Sequence, residues 1–472
     1  MRQICVIFIL LIGPSISALA RPNILFCMAD DWGWPHAGVY GDKVVKTPTF
    51  DRIAREGVLF EYAYVSSPSC TPSRNASLTG QQFYRLKEGA NLWSTLDVAF
   101  PNFMYLLRDA GYQIGHESKA WGPGDFKKGG YLEHPCGPRK KFEAFMKSRK
   151  VGLPFCFWLG TSDPHRTYKQ GSGTDSGIKI EDIQVPSFYP NHQDVKGDIA
   201  DYYFEVQRWD ARVGEAVQLL EESGELGNTI VIMTGDHGMP FPRCKGNLYD
   251  WGARVPLVVR WGDQIGSERR ITDFVSLTDI APTLLEASGV NVPQQMTGQS
   301  LLSLLKSKKS GRVERKRDHV IMGRERHVLA QQSPSLRGYP SRAIRTHKWL
   351  LILNLEPNRW PAGVPKGSAA RIKHFADCDN SPTKSCLMRL KDDAEKERFY
   401  QLSFGKRPAL ELYDCSSDPY QMKNVASDPN NFETLEMLRS QLLNYLKETN
   451  DPRMIAKDPG FDGYPYRGPL RR

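Results

Sequence analysis

Four unbroken apolar runs punctuate the first 261 residues: Asn23-Ile-Leu-Phe-Cys-Met-Ala29, Phe155-Cys-Phe-Trp-Leu159, Thr229-Ile-Val-Ile-Met233 and Val255-Pro-Leu-Val-Val-Arg-Trp261. Each has the length of a strand. Continuous apolar runs, rather than alternating ones, suit strands buried on both faces, as in a parallel sheet. Helical patterns lie between them. Thr47-Pro48 opens one, with Thr47 as N-cap, Pro48 at the first helical position and Gly57 as the stop. Phe50, Ile53 and Ala54 give it an apolar face. A longer amphipathic segment covers about 198–222, with Val206, Val213, Val217 and Leu220 near one face and Gly224 beyond its end. Alternation of strand and helix predicts an α/β domain, a large, mostly parallel sheet flanked by helices.

The pattern changes further on. Residues 301–319 are rich in Lys, Arg and Ser and read as a solvated linker. Ser341–Asn354 contains a strand, Glu411-Leu-Tyr413 is another, and 432–446 forms a final amphipathic helix. This predicts a smaller C-terminal α+β domain with an antiparallel sheet. The first twenty residues resemble a leader. Arg2 precedes a short apolar run from Ile4 to Ile12, and Ala18-Leu19-Ala20 fits a small-x-small cleavage site. The expected organisation is a signal peptide over 1–20, a catalytic domain over 21–335 and a C-terminal subdomain over 336–472. The mature protein is expected to be exported, whether periplasmic, secreted or lysosomal. No other run reaches the roughly 18 apolar residues of a membrane-spanning helix, so no stable membrane insertion is expected.

Composition narrows the class. With 40% hydrophobic and 11% aromatic residues, the 472-residue chain is neither disordered nor a fibrous rod. A formal charge of +10 favours an acidic partner: nucleic acid, an anionic membrane or a polyanionic glycan. Of the nine cysteines, Cys5 leaves with the leader, and Cys27 and Cys156 sit inside apolar runs as small hydrophobes. Cys378 and Cys386 lie close together in a polar stretch, where a disulfide or two free thiols are both open readings. No C-x-x-C pair has zinc-site spacing.

Candidate chemistry gathers where the strands end. Asp30-Asp31 follows the first run, Ser162-Asp163-Pro164-His165-Arg166 the second, and Thr234-Gly235-Asp236-His237-Gly238 the third. Asp, Gly and Pro after one strand are ordinary turn formers. Three such clusters predict a site, because ligands of open α/β sheets lie beyond the carboxyl ends of the strands. A further segment reads Cys70-Thr71-Pro72-Ser73-Arg74-Asn75-Ala76-Ser77-Leu78-Thr79-Gly80. Pro72 suits the first turn of a helix, which sets Cys70 at a helix N-terminus with Arg74 on the same face. Such a terminus favours an anion, and a guanidinium reinforces it. A structural cysteine in a loop is the plainer alternative.

This segment resembles the sulfatase signature, C-x-P-S-R followed by L-T-G. The stretches Arg21–Asp31, Gly235-Asp236-His237-Gly238, Leu277–Leu285 and Glu411–Pro419 are also similar to segments of that family, in the same order. The nearest resemblance is to the heparan N-sulfatase (sulfamidase-like) subgroup, carried by Asp236–Tyr249 and Asp163-Pro164-His165-Arg166. The resemblance implies an alkaline-phosphatase-like sulfatase fold and hydrolysis of sulfate from a sulfated glycan. It implies that Cys70 becomes Cα-formylglycine through a formylglycine-generating maturation enzyme. It also implies a metal, Ca²⁺ ahead of Mg²⁺, held by Asp30, Asp31 and Asp236 together with residue 70. His237 either ligates that metal or contacts a sulfate oxygen. Arg74 is implied to orient the nucleophile, and Lys119 and Lys245 to contact sulfate. His165 is the candidate general acid, with a structural histidine as its alternative. One departure stands out: the family commonly has Lys-x-His where this chain has Lys119-Ala120-Trp121, and an indole cannot accept the proton. His116 is near in sequence but not obviously aimed at the site. Trp32, Trp34 and Trp121 are readable either as sugar platforms or as core.

Three other readings compete with a sulfatase. A phosphodiester or phosphonate hydrolase of the same superfamily would typically use Ser or Thr and extra histidine ligands. A non-catalytic glycan binder would keep Cys70 as a thiol. A nucleic-acid binder lacks any accompanying motif.

Overall fold

Positions along β1 (Asn23–Ala29) alternate between two separate cores: Ile24, Phe26 and Met28 face one, and Leu25, Cys27 and Ala29 the other. This two-residue period puts apolar side chains on both faces, which is why the run is unbroken. A computed structural model describes residues 21–469; the leader expected over 1–20 lies outside the described residues.

The main sheet contains β1, β2 (Val58–Tyr64), β3 (Gln113–Glu117), β4 (Phe155–Gly160), β5 (Thr229–Gly235), β6 (Leu257–Arg260) and β7 (Arg269–Ser276). Their order is β3-β4-β1-β5-β6-β2-β7. β1 pairs parallel with both β4 and β5, and β3 runs parallel to β4. β6 is antiparallel to both β5 and β2, so β2 runs in the same direction as β5. Consequently β1, β2, β3, β4 and β5 all deliver their carboxyl ends to one edge. The segments after them carry Asp30, Cys70, Lys119, His165 and Asp236. The expected mostly parallel sheet is present, with β6 as its antiparallel member.

A second sheet has the order β11-β10-β9-β8, all antiparallel, from β8 (His319–Arg324), β9 (Ser341–Thr346), β10 (Trp349–Asn354) and β11 (Leu410–Asp414). Ile344, Leu351, Leu353 and Leu412 pack there against Leu435, Leu438, Leu442 and Leu446 of the Phe432–Glu448 helix.

Four local expectations are corrected. Thr47 does not cap the Pro48–Arg55 helix through its side chain; its hydroxyl binds Gly38 and Asp51 instead. The first free N–H groups, of Thr49 and Phe50, donate to Asp210 at 2.9 and 2.8 Å, so a carboxylate from a distant helix does the capping. The long helix begins at Gln193, five residues ahead of the sequence estimate, with the His192 imidazole accepting from the Asp194 N–H. Residues 301–319 are not a solvated linker: Leu301, Leu304 and Leu305 are buried, and Arg317 pairs with buried Asp279 at 2.9 Å. The cations there mask an apolar helix at Leu302–Lys306. Cys378 and Cys386 are both free and buried, and Cys386 lies on a helix, Pro382–Arg389. Within 341–354 the single expected strand is a hairpin of two, β9 and β10.

Candidate active site

The helix Cys70–Thr79 starts at the sheet edge where the parallel strands β1 to β5 end and is buried along its whole length. Gly80 ends it at φ 62°, where an added Cβ would meet Met296 at 2.8 Å. Cys70 is the first helical residue. Its Sγ lies 3.3 Å from His237 Nε2 and 3.7 Å from Asp30 Oδ1. Burial pushes the Cys70 thiol pKa well up, even though Lys119 and Lys245 oppose it. A thiol held protonated is a weak nucleophile at neutral pH.

Arg74, one turn on, is fully buried. Its Nε donates to Asp236 Oδ2 at 2.8 Å, and its Nη atoms donate to the carbonyls of Lys119, Ala120 and Ala29 at 2.8, 2.9 and 3.1 Å. The guanidinium thus ties together the ends of β1, β3 and β5. Lys119 Nζ reaches both oxygens of Asp30 at 2.5 and 2.6 Å, and Lys245 Nζ reaches Asp31 Oδ2 at 2.8 Å. Burial alone would raise the Asp236 carboxyl pKa; the neighbouring cations, Arg74 and Lys119 among them, hold it well below the usual carboxylate range. Burial works against the Lys119 and Lys245 ammonium groups, and Asp30 and Asp31 respectively outweigh it. Three carboxylates therefore face three permanent cations, a balance that makes burial of all six tolerable.

Backbone strain collects at the same place. Asp31, Ser118 and Arg243 have φ of 73°, 51° and 68°. Each left-handed residue costs ~1 kcal/mol. Asp31 is held there by its N–H donating to Asp236 Oδ1 at 2.8 Å.

The site fits a divalent cation. Asp31 Oδ1 is buried with no hydrogen-bond partner. His237 Nδ1 sits 3.0 Å from the Gly238 carbonyl. Assigning the proton to Nδ1 leaves the Nε2 lone pair 3.2 Å from Asp31 Oδ1, two acceptors facing each other. A cation resolves that clash. Ligand atoms of Asp31, Cys70 and His237 lie within 4.8 Å of one another, as do those of Asp30, Cys70 and Asp236. Hard carboxylate oxygens suit Ca²⁺ or Mg²⁺.

Of the residues singled out in the sequence, Asp30, Asp31, Cys70, Arg74, Lys119, Asp236, His237 and Lys245 lie together in this cluster, with His165 at its margin. The His165 Nδ1–H donates to the Arg166 carbonyl at 2.6 Å, and a ring nitrogen of His165 lies within 4.8 Å of ligand atoms of Asp31 and Asp379. Arg166 forks onto Asp198 at 2.7 and 2.9 Å, which fixes the His165 loop to the Gln193–Glu222 helix. His116 is elsewhere. It stacks on His134, with ring centroids 3.8 Å apart. Trp121 occupies no catalytic position: it is buried and donates to Asn75 Oδ1 at 2.6 Å, a brace across the Cys70 helix. Asn75-Ala76-Ser77 spells a glycosylation sequon, but Asn75 is fully buried inside this helix. Trp32 is core, packed on Phe50, and Trp34 lies under the Arg254 guanidinium.

Two groups escaped the sequence reading. Asp379 lies 3.2 Å from Lys245 Nζ and comes from a polar loop read only for its cysteine. His327, buried, pairs with Ser69 Oγ at 2.7 Å next to the nucleophile position. No motif marks either, because both arrive from the C-terminal part of the chain through tertiary packing.

The family model described as Sulfatase matches residues 22–139 and 139–290, and one described as N-sulphoglucosamine sulphohydrolase, C-terminal, matches 235–353. The chain is 30% identical to the human N-sulphoglucosamine sulphohydrolase over 93% of each protein. It is 28% identical to an ulvan-active sulfatase of Formosa agariphila, covering 91% of this chain and 76% of that one. A structure solved in complex with its substrate D-glucosamine-2-N,6-O-disulfate shares the fold, with a TM-score of 0.65 at 19% identity over 93% of this chain and all of the other.

Proposed function

We propose, for a chain that belongs to the sulfatase family and hydrolyses sulfuric esters or sulfamates, that it removes sulfate from a heparan-type glycan, with N-sulfoglucosamine as first candidate. The reading includes Cys70 matured to formylglycine and a Ca²⁺ held by Asp30, Asp31, Asp236 and His237. Hydrated formylglycine supplies an oxygen nucleophile in place of a protonated thiol, and the metal supplies positive charge toward the sulfuryl oxygens. The observation that carries the reading is the convergence of position 70 with three carboxylates and three cations at one sheet edge.

The chain's own residues then have distinct tasks. Arg74 holds the ends of three strands in register with position 70 and offers its charge to the nucleophile. Lys119 and Lys245 each close on one carboxylate; once a divalent cation takes up those carboxylates, both ammonium groups are available to sulfuryl oxygens. With a divalent cation added, three fixed cations and the metal would outweigh the site's carboxylates, and the net positive charge favours an anionic group in transfer. His165 stands where it can hand a proton to the departing atom. Trp121 holds Asn75 and leaves the proton traffic to other groups. Maturation requires a formylglycine-generating enzyme as partner, and the expected leader directs the chain to export. Among the described residues no helix is long and apolar enough to cross a membrane.

The test is sulfate release, followed by ion chromatography, from N-sulfoglucosamine and from O-sulfated saccharides, using protein co-expressed with a maturation enzyme. Release from any of them, abolished by Lys119→Ala, is expected. Release from none refutes the glycan reading. Similarity to an ulvan-active sulfatase favours an O-sulfated polysaccharide as the second reading.

A further inference from the structure

Asp379 is out of place in a pocket for anions. The three site cations are already matched by Asp30, Asp31 and Asp236. Asp379 brings a fourth carboxylate and no cation of its own; it shares Lys245, which sits 3.2 Å away and is closer to Asp31 at 2.8 Å. Its Oδ2, the oxygen that faces Lys245, makes no hydrogen bond beyond that ion pair, and the side chain as a whole remains 24% exposed. The carboxylate stands beside the candidate general acid, since ligand atoms of Asp31, His165 and Asp379 lie within 4.8 Å of one another. A negative charge at this point repels sulfuryl oxygens, so binding sulfate does not account for it.

The atom that leaves sulfur does account for it. In a sulfamate the bridging nitrogen carries a hydrogen and donates. In a sulfate ester the bridging oxygen carries only lone pairs. A carboxylate can only accept. We infer that Asp379 is a specificity-determining residue that favours nitrogen over oxygen as the bridging atom, by accepting from the sulfamate N–H and facing the amine that is released. This rests on the reading of the site as a sulfatase centre.

In that reaction an S–O bond forms as the nucleophile's hydroxyl gives up its proton to water, and the S–N bond breaks. Nitrogen keeps the electron pair and takes one proton, for which His165, beside Asp379, is the candidate donor. At neutral pH the freed amine takes a second proton from water and becomes an ammonium, which Asp379 complements. An ester would release a neutral alcohol and gain nothing from that charge. A site built to bond a substrate N–H discriminates strongly against an analogue that lacks it.

The experiment compares N-sulfoglucosamine with glucose 2-O-sulfate, which differ in the bridging atom, for wild type, Asp379→Asn and Asp379→Glu. The readout is the ratio of kcat/KM values. Wild type is expected to prefer the sulfamate. Asp379→Asn, whose amide can also donate to an ester oxygen, is expected to lower the ratio about 10- to 100-fold, the span of one charge-assisted hydrogen bond, and Asp379→Glu to retain much of it. Calorimetry adds a readout independent of turnover: wild type should bind glucosamine at least about tenfold tighter than glucose, a preference lost in Asp379→Asn. Equal loss on both substrates makes Asp379 a structural partner of Lys245 and overturns the inference, as does an unchanged ratio. Hydrolysis of the ester alone overturns it while leaving the sulfatase reading intact. If wild type turns over neither substrate, the sulfatase reading fails for this pair and glucosamine binding decides on Asp379. Should Asp379→Asn not fold, Asp379→Ser carries the same comparison.

Discussion

Replacing Arg74 with lysine keeps the charge and removes the fork. The guanidinium makes four hydrogen bonds, one to Asp236 and three to the carbonyls of Ala29, Lys119 and Ala120. A lysine nitrogen is a single point and can meet at most two of these groups from one position. Two carbonyl bonds lost at ~1 kcal/mol each, plus ~1–3 kcal/mol for a buried acceptor left unpaired, give about 3–5 kcal/mol. That magnitude matches the cost of breaking a buried ion pair. The assay is guanidinium unfolding of the unmodified Cys70 protein, wild type against Arg74→Lys, with sulfate release measured in parallel on matured protein. Turnover should fall by about 10²-fold or more, as for loss of an aligned donor at a charged transition state. A loss under ~1 kcal/mol with turnover within tenfold of wild type would refute the view that Arg74 ties the strand ends to the nucleophile.

Other outcomes follow from the same structure. Burial pulls His116 and His134 down to about 4 and about 3. Both stay neutral in the fold while the unfolded chain takes up protons below ~6.5, so stability is complete above that pH and falls on acidification toward about pH 4. A His116→Gln/His134→Gln double variant should flatten this limb of a stability–pH curve; an unchanged slope contradicts the assignment. Asp210→Ala removes the acceptor for two helix N–H groups and should cost ~1–2 kcal/mol in denaturant unfolding, whereas no change would mean water caps them equally well. Calcium should stabilise wild type by ~2.7 kcal/mol at a hundredfold excess over Kd, seen as a raised thermal midpoint, and leave the midpoint of Asp31→Asn unmoved; equal responses would place the ion elsewhere.

Much of this was legible in the chain itself. Unbroken apolar runs announced β1, β4 and β5, because both faces of those strands are buried, and the acids after them announced the site. The segment from Cys70 to Gly80 announced the helix and its arginine. What stayed hidden depends on contacts distant in sequence. Asp210 replaces Thr47 as helix cap from 160 residues away. Leu301, Leu304 and Leu305 looked like linker because their neighbours are cationic, yet they lie in the core. Asp379 and His327 carry no local signal, since their meaning comes only from where the C-terminal chain lays them. Trp121 was legible as a departure, and its role as a brace for Asn75 required the fold.

Peptide mass spectrometry across position 70, on protein made beside a competent maturation enzyme and shown to release sulfate, tests the central claim most directly. Conversion of Cys70 to formylglycine lowers the peptide mass by about 18 Da, and the account requires that lighter peptide in the active fraction. An active fraction whose peptide retains an intact Cys70 thiol would contradict it.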